Sequence, residues 1–282
     1  MRQVAKRAFQ LALGALPPSV AMTAHYFVHH KRLPDLARPT RFTEKVIRRK
    51  LVDRDPRLPI MADKIAVKEF VASILGAPYV TPTLWSGESL PPRGERNWSP
   101  PYVLKANNGS GANVFVRSAD NVDWDAIEAG CRTWLATSHA RWAAEWAYAK
   151  IAPKLMVEPH LGDPSRLPLD YKLFVFGGSV RFVEVDTDRA IGHKRTFFDR
   201  QWRRQPFSLG YPIDLRPIAR PASLEAMIAA AERLGAGFSF VRIDFYDIDG
   251  APRFGEMTFY PDAGIARFSP DPVDLEFGAL WR

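Results

Sequence analysis

The sequence predicts a mixed α/β or α+β protein, and three observations predict it. Helix-like and strand-like stretches alternate along the chain without repeats or low-complexity tracts. Twenty-four prolines and 18 glycines divide the 282 residues into many short elements. Two hairpins stand out, one rich in glycine near residue 109 and one that carries acids within apolar strands near residue 250.

Taken in order, residues 42–52 and 63–75 read as helices. The second has Asp63 as its cap and Ile65, Val67, Phe70, Val71 and Ile74 as its apolar stripe, and Gly76 stops it. Residues 80–96 carry prolines and glycines and read as a strand followed by a loop. Residues 102–105 and 114–117 make two short strands around a turn, the glycine-rich hairpin. Residues 124–138 and 140–151 are helix candidates, and a boundary falls near Pro153. Strand-like composition returns at 155–157, 171–176 and 180–185, the last two joined by Gly177-Gly178. Residues 221–234 form another helix. In the final hairpin, 238–246 pairs with 253–260 across a turn at Asp247-Ile248-Asp249-Gly250.

With 46% apolar and 25% charged side chains the composition is that of an ordinary globular protein. The formal net charge of +8 favours an anionic partner: a nucleotide, an acidic glycan, a lipid headgroup or nucleic acid. Neither an aromatic-basic platform nor a helix-turn-helix pattern is present, so nucleic acid ranks last. The lone Cys131 excludes an intrachain disulfide and a cysteine metal cage, and the histidines lack zinc-like spacing. The basic residues 1–7 and the apolar run 8–16, ahead of Pro17-Pro18, have the outline of a signal peptide and equally of a short amphipathic helix lying on the protein or on an anionic inner-leaflet surface. No run reaches the roughly 20 apolar residues of a spanning helix.

Three groups of residues, and Glu158 besides, can carry chemistry. Lys105 ends a strand just before Gly109-Ser110-Gly111, where backbone N–H groups and an ammonium can meet phosphate oxygens, or where the chain simply turns. No Walker A loop or dinucleotide fingerprint is present. In the late hairpin, a loop at residues 248–250 places Asp244 opposite Phe254 and diagonal to Glu256, close enough to share a metal. The same acids, with Arg242, also suit a solvated, ion-paired face. Asp170-Tyr171-Lys172 opens a strand and His193-Lys194-Arg195 sits in a loop after it, so that these cations are either phosphate clamps or surface charges. Glu158 follows an apolar strand and fits either a hinge near a nucleotide or a solvated strand end.

The order of these features, a basic glycine-rich hairpin first and an Arg-x-Asp/Glu-x-Thr hairpin last, resembles that of ATP-grasp enzymes, in which two mixed α/β lobes hold ATP between them. More specifically the chain resembles the TupA-like ATP-grasp family, associated with teichuronopeptide and other cell-surface polysaccharide synthesis. The resemblance covers about residues 42–281. It rests on Phe42-Thr43-Glu44-Lys45, Ala62-Asp63-Lys64, Val103-Leu104-Lys105, Glu145-Trp146-Ala147-Tyr148, Leu169-Asp170-Tyr171-Lys172, Val241-Arg242-Ile243-Asp244-Phe245-Tyr246 and Phe254-Gly255-Glu256-Met257-Thr258-Phe259.

That resemblance implies a helical segment at 1–60 and lobes at 61–154 and 155–282. It implies ATP and Mg²⁺ as cofactors, with Lys64, Lys105, Gly109, Ser110, Gly111, Glu158, Asp170 and Lys172 on the nucleotide and Asp244, Glu256 and Thr258 on the metal. Many ATP-grasp enzymes carry Asn two residues after the metal Glu; Thr258 stands here instead and is a weaker oxygen ligand. Arg242, Arg195 and Lys172 are the expected catalytic cations. The implied reaction joins a carboxylate, in an acidic glycan or its precursor, to an amine, with a cytoplasmic location; the N-terminal composition, apart from the resemblance, offers residues 1–30 for peripheral contact with the inner membrane. A glycosyltransferase, an ATP-dependent kinase and a noncatalytic nucleotide-binding assembly factor are the alternatives.

Overall fold

The computed structural model describes residues 14–136, 143–189 and 191–282. The readings of residues 1–13, the end of the 124–138 helix and the start of the 140–151 helix lie outside the described residues. The described helices are α1 (Pro18–His30), α2 (Phe42–Val52), α3 (Arg57–Ala62), α4 (Val67–Leu75), α5 (Trp124–Ala136), α6 (Trp146–Ala149), α7 (Leu224–Gly235) and α8 (Val273–Leu280). The strands are β1 (Trp85–Gly87), β2 (Tyr102–Ala106), β3 (Asn113–Val116), β4 (Leu155–Pro159), β5 (Asp170–Phe176), β6 (Ser179–Thr187), β7 (Lys194–Phe198), β8 (Ser208–Leu209), β9 (Phe240–Ile248), β10 (Ala251–Thr258) and β11 (Phe268–Ser269).

Two antiparallel sheets organise the chain. The first has strand order β1-β4-β2-β3, the second β10-β9-β5-β6-β7, and β8 pairs separately with β11. Strand β4 belongs to the first sheet, which the chain therefore leaves after Pro159, five residues beyond the expected division at 154. Tyr102, Leu104, Val116, Cys131, Leu155 and Val157 form the core of this first unit.

The second sheet is covered on both faces. Helix α7 packs Leu224, Met227, Ala231 and Leu234 on one face, so closely that a Cβ at Gly235 would lie 2.7 Å from Val175 Cγ1. The other face changes character along its strands. At one end Phe174 and Phe182 pair across β5 and β6, and α2 and α8 cover them, with Phe182 stacked on Phe277 at 4.5 Å and Phe42 edge-on to Phe240 at 4.9 Å. At the other end the same face carries charge and forms the candidate site.

Helix α8 crosses the chain just before α2 at Gly278, where a Cβ would lie 2.0 Å from Thr40 O and 2.9 Å from Phe42 N. Backbone cannot give way as a side chain can. Gly278→Ala is expected to cost about 3 kcal/mol through forced separation of α8 from α2, read as a lowered melting temperature.

Several sequence expectations are corrected. The helix expected at 63–75 begins at Val67, because Asp63 Oδ1 accepts from the Ile65 amide at 2.8 Å and caps a separate turn ahead of it. The strand expected from residue 80 is only Trp85–Gly87, and within 140–151 the described helix is the single turn Trp146–Ala149. Lys194 and Arg195 do not sit in a loop: they open β7, with Arg195 opposite Asp186.

The late hairpin turns on two residues, Asp249 and Gly250, both at positive φ (53° and 77°), the geometry that a tight hairpin requires. Phe254 therefore faces Phe245, and not Asp244 as expected. A bulge at Gly255 then advances the register, so that Glu256 pairs directly with Asp244. At Gly255 a Cβ would lie 3.1 Å from Asp244 O.

Candidate active site

Lys105 on β2 and Glu158 on β4 share one face of the first sheet, since Glu158 pairs with Val103, two residues before the lysine. The Glu158 carboxylate binds two ammonium groups, Lys105 and, from α4, Lys68. Lys68 also donates to Thr81 O and Thr83 Oγ1, both at 2.7 Å. Burial opposes the Glu158 charge, but Lys105 and Lys68 outweigh it and hold the carboxyl below the usual carboxylate range. Burial in turn lowers the Lys68 ammonium, only partly countered by Glu158.

Beyond Lys105 the chain enters the glycine-rich turn. Gly109 and Gly111 have φ of 98° and 77°, and a Cβ at Gly111 would meet nothing, so conformation and not space is what calls for glycine there. Ser110 and Gly111 are exposed. The base of the turn is fixed by the fully buried Asn107, which donates to Ala152 O at 3.1 Å and accepts from the Lys154 amide at 2.8 Å. Lys64 joins this turn to the second sheet: its ammonium donates to Gly109 O at 2.8 Å and lies 3.0 Å from Glu256 Oε2.

In the second sheet, cross-strand pairing lines up Glu256, Asp244, Lys172 and Glu184 on β10, β9, β5 and β6. Arg242 donates to both Asp244 oxygens at 2.8 Å, to Glu256 Oε1 at 3.3 Å and to Thr258 Oγ1 at 3.2 Å. Thr258 donates to Glu256 Oε1 at 3.0 Å. Lys172 is paired with Asp170 and lies 3.7 Å from Asp244 and 3.8 Å from Asp186. Asp244 is 2% exposed, which rules out a solvated face for this acid. Burial pushes its carboxyl up against the pull of Arg242 and Lys172. At Glu256 burial acts the same way, but Lys64 and Arg242 prevail and hold it well below the usual range.

Arg195 lies further along the face and is taken up by three carboxylates: Asp262 at 2.8 Å, Asp186 at 2.9 Å and Glu184 at 3.1 Å. Asp262 and Ala263 both have positive φ (47° and 55°) in the turn Pro261–Gly264 that follows β10, and Arg195 ties this turn to the sheet. Glu184, with no exposure and no hydrogen-bond partner for either oxygen among the described residues, is pushed up to about 8 by burial. Asp186 stays ionised, because Arg195, Lys172 and His193 overcome its burial. Arg189 completes the cluster, 2.8 Å from Asp170 and 3.2 Å from Asp186.

The structure thus brings Lys64, Gly109, Arg242, Asp244, Glu256 and Thr258 into one connected group and Lys105 with Glu158 into another. Asp170 and Lys172 belong to the acid-rich row, and Arg195 is engaged by carboxylates. Sequence reasoning missed Lys68, Glu184, Asp186, Arg189 and Asp262. Lys68 had a signal, its i,i+4 spacing from Lys64. The others did not, because β6, β7 and the turn after β10 are adjacent only through pairing and packing.

Among the described residues no three Asp, Glu, His or Cys side chains converge into a metal cage. Mg²⁺ carried by a nucleotide needs only one or two carboxylates, and Asp244 beside Glu256 supplies them. The donors are hard oxygens on paired residues of adjacent strands, so the residues fit the ion, which would take them in exchange for their contacts with Arg242, Lys64 and Lys172.

Two antiparallel sheets linked through Lys64, a lysine before a glycine-rich turn on one and paired carboxylates on the other, are the arrangement of an ATP-grasp protein. The model of the TupA-like ATPgrasp family matches residues 44–282, and the chain belongs to that family. No curated protein matches the sequence. Among solved structures, the D-alanine–D-alanine ligase of Bacillus anthracis complexed with ATP is 13% identical, with a TM-score of 0.41 over 71% of this chain and 55% of that one. The ATP-grasp ligase PsnB complexed with a minimal precursor is 14% identical, with a TM-score of 0.41 over 77% of this chain and 60% of that one. The D-alanine–D-alanine ligase of Helicobacter pylori is 15% identical, with a TM-score of 0.41 over 79% and 61%. The chain thus spans less than two thirds of the length of these proteins.

Proposed function

We propose that this protein is an ATP-dependent carboxylate-amine ligase whose cleft lies between the two sheets, with the lobes dividing after Pro159 instead of at 154. One observation carries the reading: Lys64 binds both the glycine-rich turn and Glu256, so that a single ammonium links a phosphate-binding loop to a metal carboxylate. Family membership supports it.

In this reading Lys105 and Lys68, now paired with Glu158, turn to the nucleotide phosphates, and Glu158 takes the ribose. Gly109, Ser110 and Gly111 close over the phosphates and exclude water. Mg²⁺, held by Asp244 and Glu256 with Thr258 beside them, supplies phosphate charge neutralisation when bound. Arg242 and Lys172 would balance the charge that grows on the transferred phosphoryl group, and Arg195 orders the turn at Asp262. A substrate carboxylate oxygen attacks the γ-phosphorus and ADP leaves. The amine nitrogen then attacks the acyl carbon, inorganic phosphate leaves with the bonding pair, and the amine proton passes to a base.

The substrate we infer is an acidic cell-surface glycan or its precursor, joined to an amine on the cytoplasmic side of the membrane. The family resemblance supports this class, and nucleic acid is not expected as a partner. The test is calorimetric ATP titration with and without Mg²⁺, followed by ADP release. Lys105→Ala is expected to weaken ATP binding about 10- to 100-fold with the fold intact. ADP release that needs both a carboxylate and an amine upholds the ligase; release on a hydroxyl acceptor alone makes it a kinase, and a sugar-nucleotide requirement makes it a glycosyltransferase. Folded protein without ATP binding overturns the reading.

A further inference from the structure

Charge is segregated along this chain. Residues 1–50 hold eleven Lys and Arg against two acids, Asp35 and Glu44, whereas the rest holds 28 against 29. The excess that makes the protein basic therefore belongs to the N-terminal segment and not to the cleft.

Helix α1 within that segment has two different faces. Ala21, Met22 and Tyr26 are buried with Ile47 of α2 and Ile265. On the opposite side Val20 is 50% exposed, Phe27 49% and, just past the helix, Leu33 68%. With Ser19, Thr23 and Ala24 these side chains line an open, largely apolar groove. The helix contains no acidic residue. Lys31 at its end and Arg38 are exposed and form no ion pair among the described residues, and Arg2, Lys6 and Arg7 precede it in sequence.

An apolar groove with unneutralised cations in the same segment of chain matches an anionic bilayer, whose interface takes up both. A second copy of the chain would bring the same positive charge against itself, which disfavours association. Among the described residues no helix is long and apolar enough to cross a membrane, so the contact is peripheral.

We propose that the exposed face of α1 docks this protein on an anionic membrane surface, with Val20, Phe27 and Leu33 at the acyl boundary and Lys31 and Arg38 on headgroup phosphates. The buried face of α1 packs against Ala263 and Ile265, in and beside the turn that Arg195 holds through Asp262. Docking therefore places the bilayer one helix layer from the cleft. The surface stands apart from the nucleotide residues, so its failure and that of the ligase reading are distinguishable.

Cosedimentation of the full chain with vesicles tests it, using phosphatidylcholine alone or mixed with one third phosphatidylglycerol. Binding to the anionic vesicles is expected to exceed that to the neutral ones at least ~10-fold and to fall with salt. Val20→Ser/Phe27→Ser is expected to abolish it, and Lys31→Gln/Arg38→Gln to weaken it about 20-fold, with melting temperature and ATP binding unchanged. Equal binding to both vesicles, binding to neither, or full binding by the Val20→Ser/Phe27→Ser protein overturns the proposal. So does a wild-type dimer that this variant loses, since a second copy would then cover the face.

Discussion

Asp244→Asn/Glu256→Gln is expected to lower turnover by about 10³-fold or more and to remove the Mg²⁺-dependent part of ATP binding. The amides keep an acceptor oxygen for Arg242 and Thr258 and nearly the same volume, so the hairpin can persist. What they lose is two negative charges in a place where Arg242, Lys64 and Lys172 already supply positive charge. A cation brought by the nucleotide then meets an uncompensated cationic site. The measurement is calorimetry with and without Mg²⁺ alongside ADP release, with melting curves to show that the variant is folded. Turnover within tenfold of wild type would remove these carboxylates from the reaction.

Arg195→Leu is expected to be the most destabilising single change in the charged face. Its guanidinium is shared by Glu184, Asp186 and Asp262, of which the first two are buried. Breaking a buried ion pair from one side costs about 3–5 kcal/mol, which for a protein of this size is a drop of roughly 10 °C in melting temperature. The loss should depend on pH, and its sign follows from linkage. Without Arg195 the Glu184 carboxyl, already pushed up to about 8, rises further. Between about 8 and that raised value the variant's folded state keeps a proton that the wild type's folded state has given up, so the loss relative to wild type grows as pH rises above about 8. Melting of both proteins at pH 6.5 and pH 9.5 checks this; a loss of stability under about 1 kcal/mol, equal at both pH values, would mean that Arg195 is not the common counter-ion.

The two elements of the candidate site most legible in the sequence are hairpins, and for a physical reason. The strands 102–105 and 114–117, and the acidic pair around Asp244 and Glu256, are each joined by a few residues whose turn chemistry is local. Even there the register was misread. Asp249-Gly250 closes a two-residue turn, and the bulge at Gly255 restores the pairing of Asp244 with Glu256 that a simple ladder would have broken. The bulge depends on the close approach of Gly255 to the Asp244 backbone, a tertiary fact with no periodic trace.

Lys194 and Arg195 show the opposite failure. Two cations opening a segment look like a loop, yet Arg195 enters a strand, because Asp186 and Glu184 on β6 and Asp262 beyond β10 stabilise its charge. Helix α8 was also missed, since its packing partner α2 lies more than two hundred residues away in sequence. A contact of that kind, Thr40 against Gly278, leaves only a glycine as its mark.

By itself the sequence determined the alternating architecture, the glycine-rich and acidic hairpins and, through the order of its motifs, the family. These follow from local turn chemistry, side-chain periodicity and the cost of placing a carboxylate in an apolar strand. Only the tertiary structure decided that β4 and Glu158 join the first sheet, that Lys64 bridges the two sheets, and that Arg195 serves carboxylates at Asp262 and on β6. Those outcomes depend on which distant strands pair and which buried charges find a counter-ion, and neither is encoded within any short window of the chain.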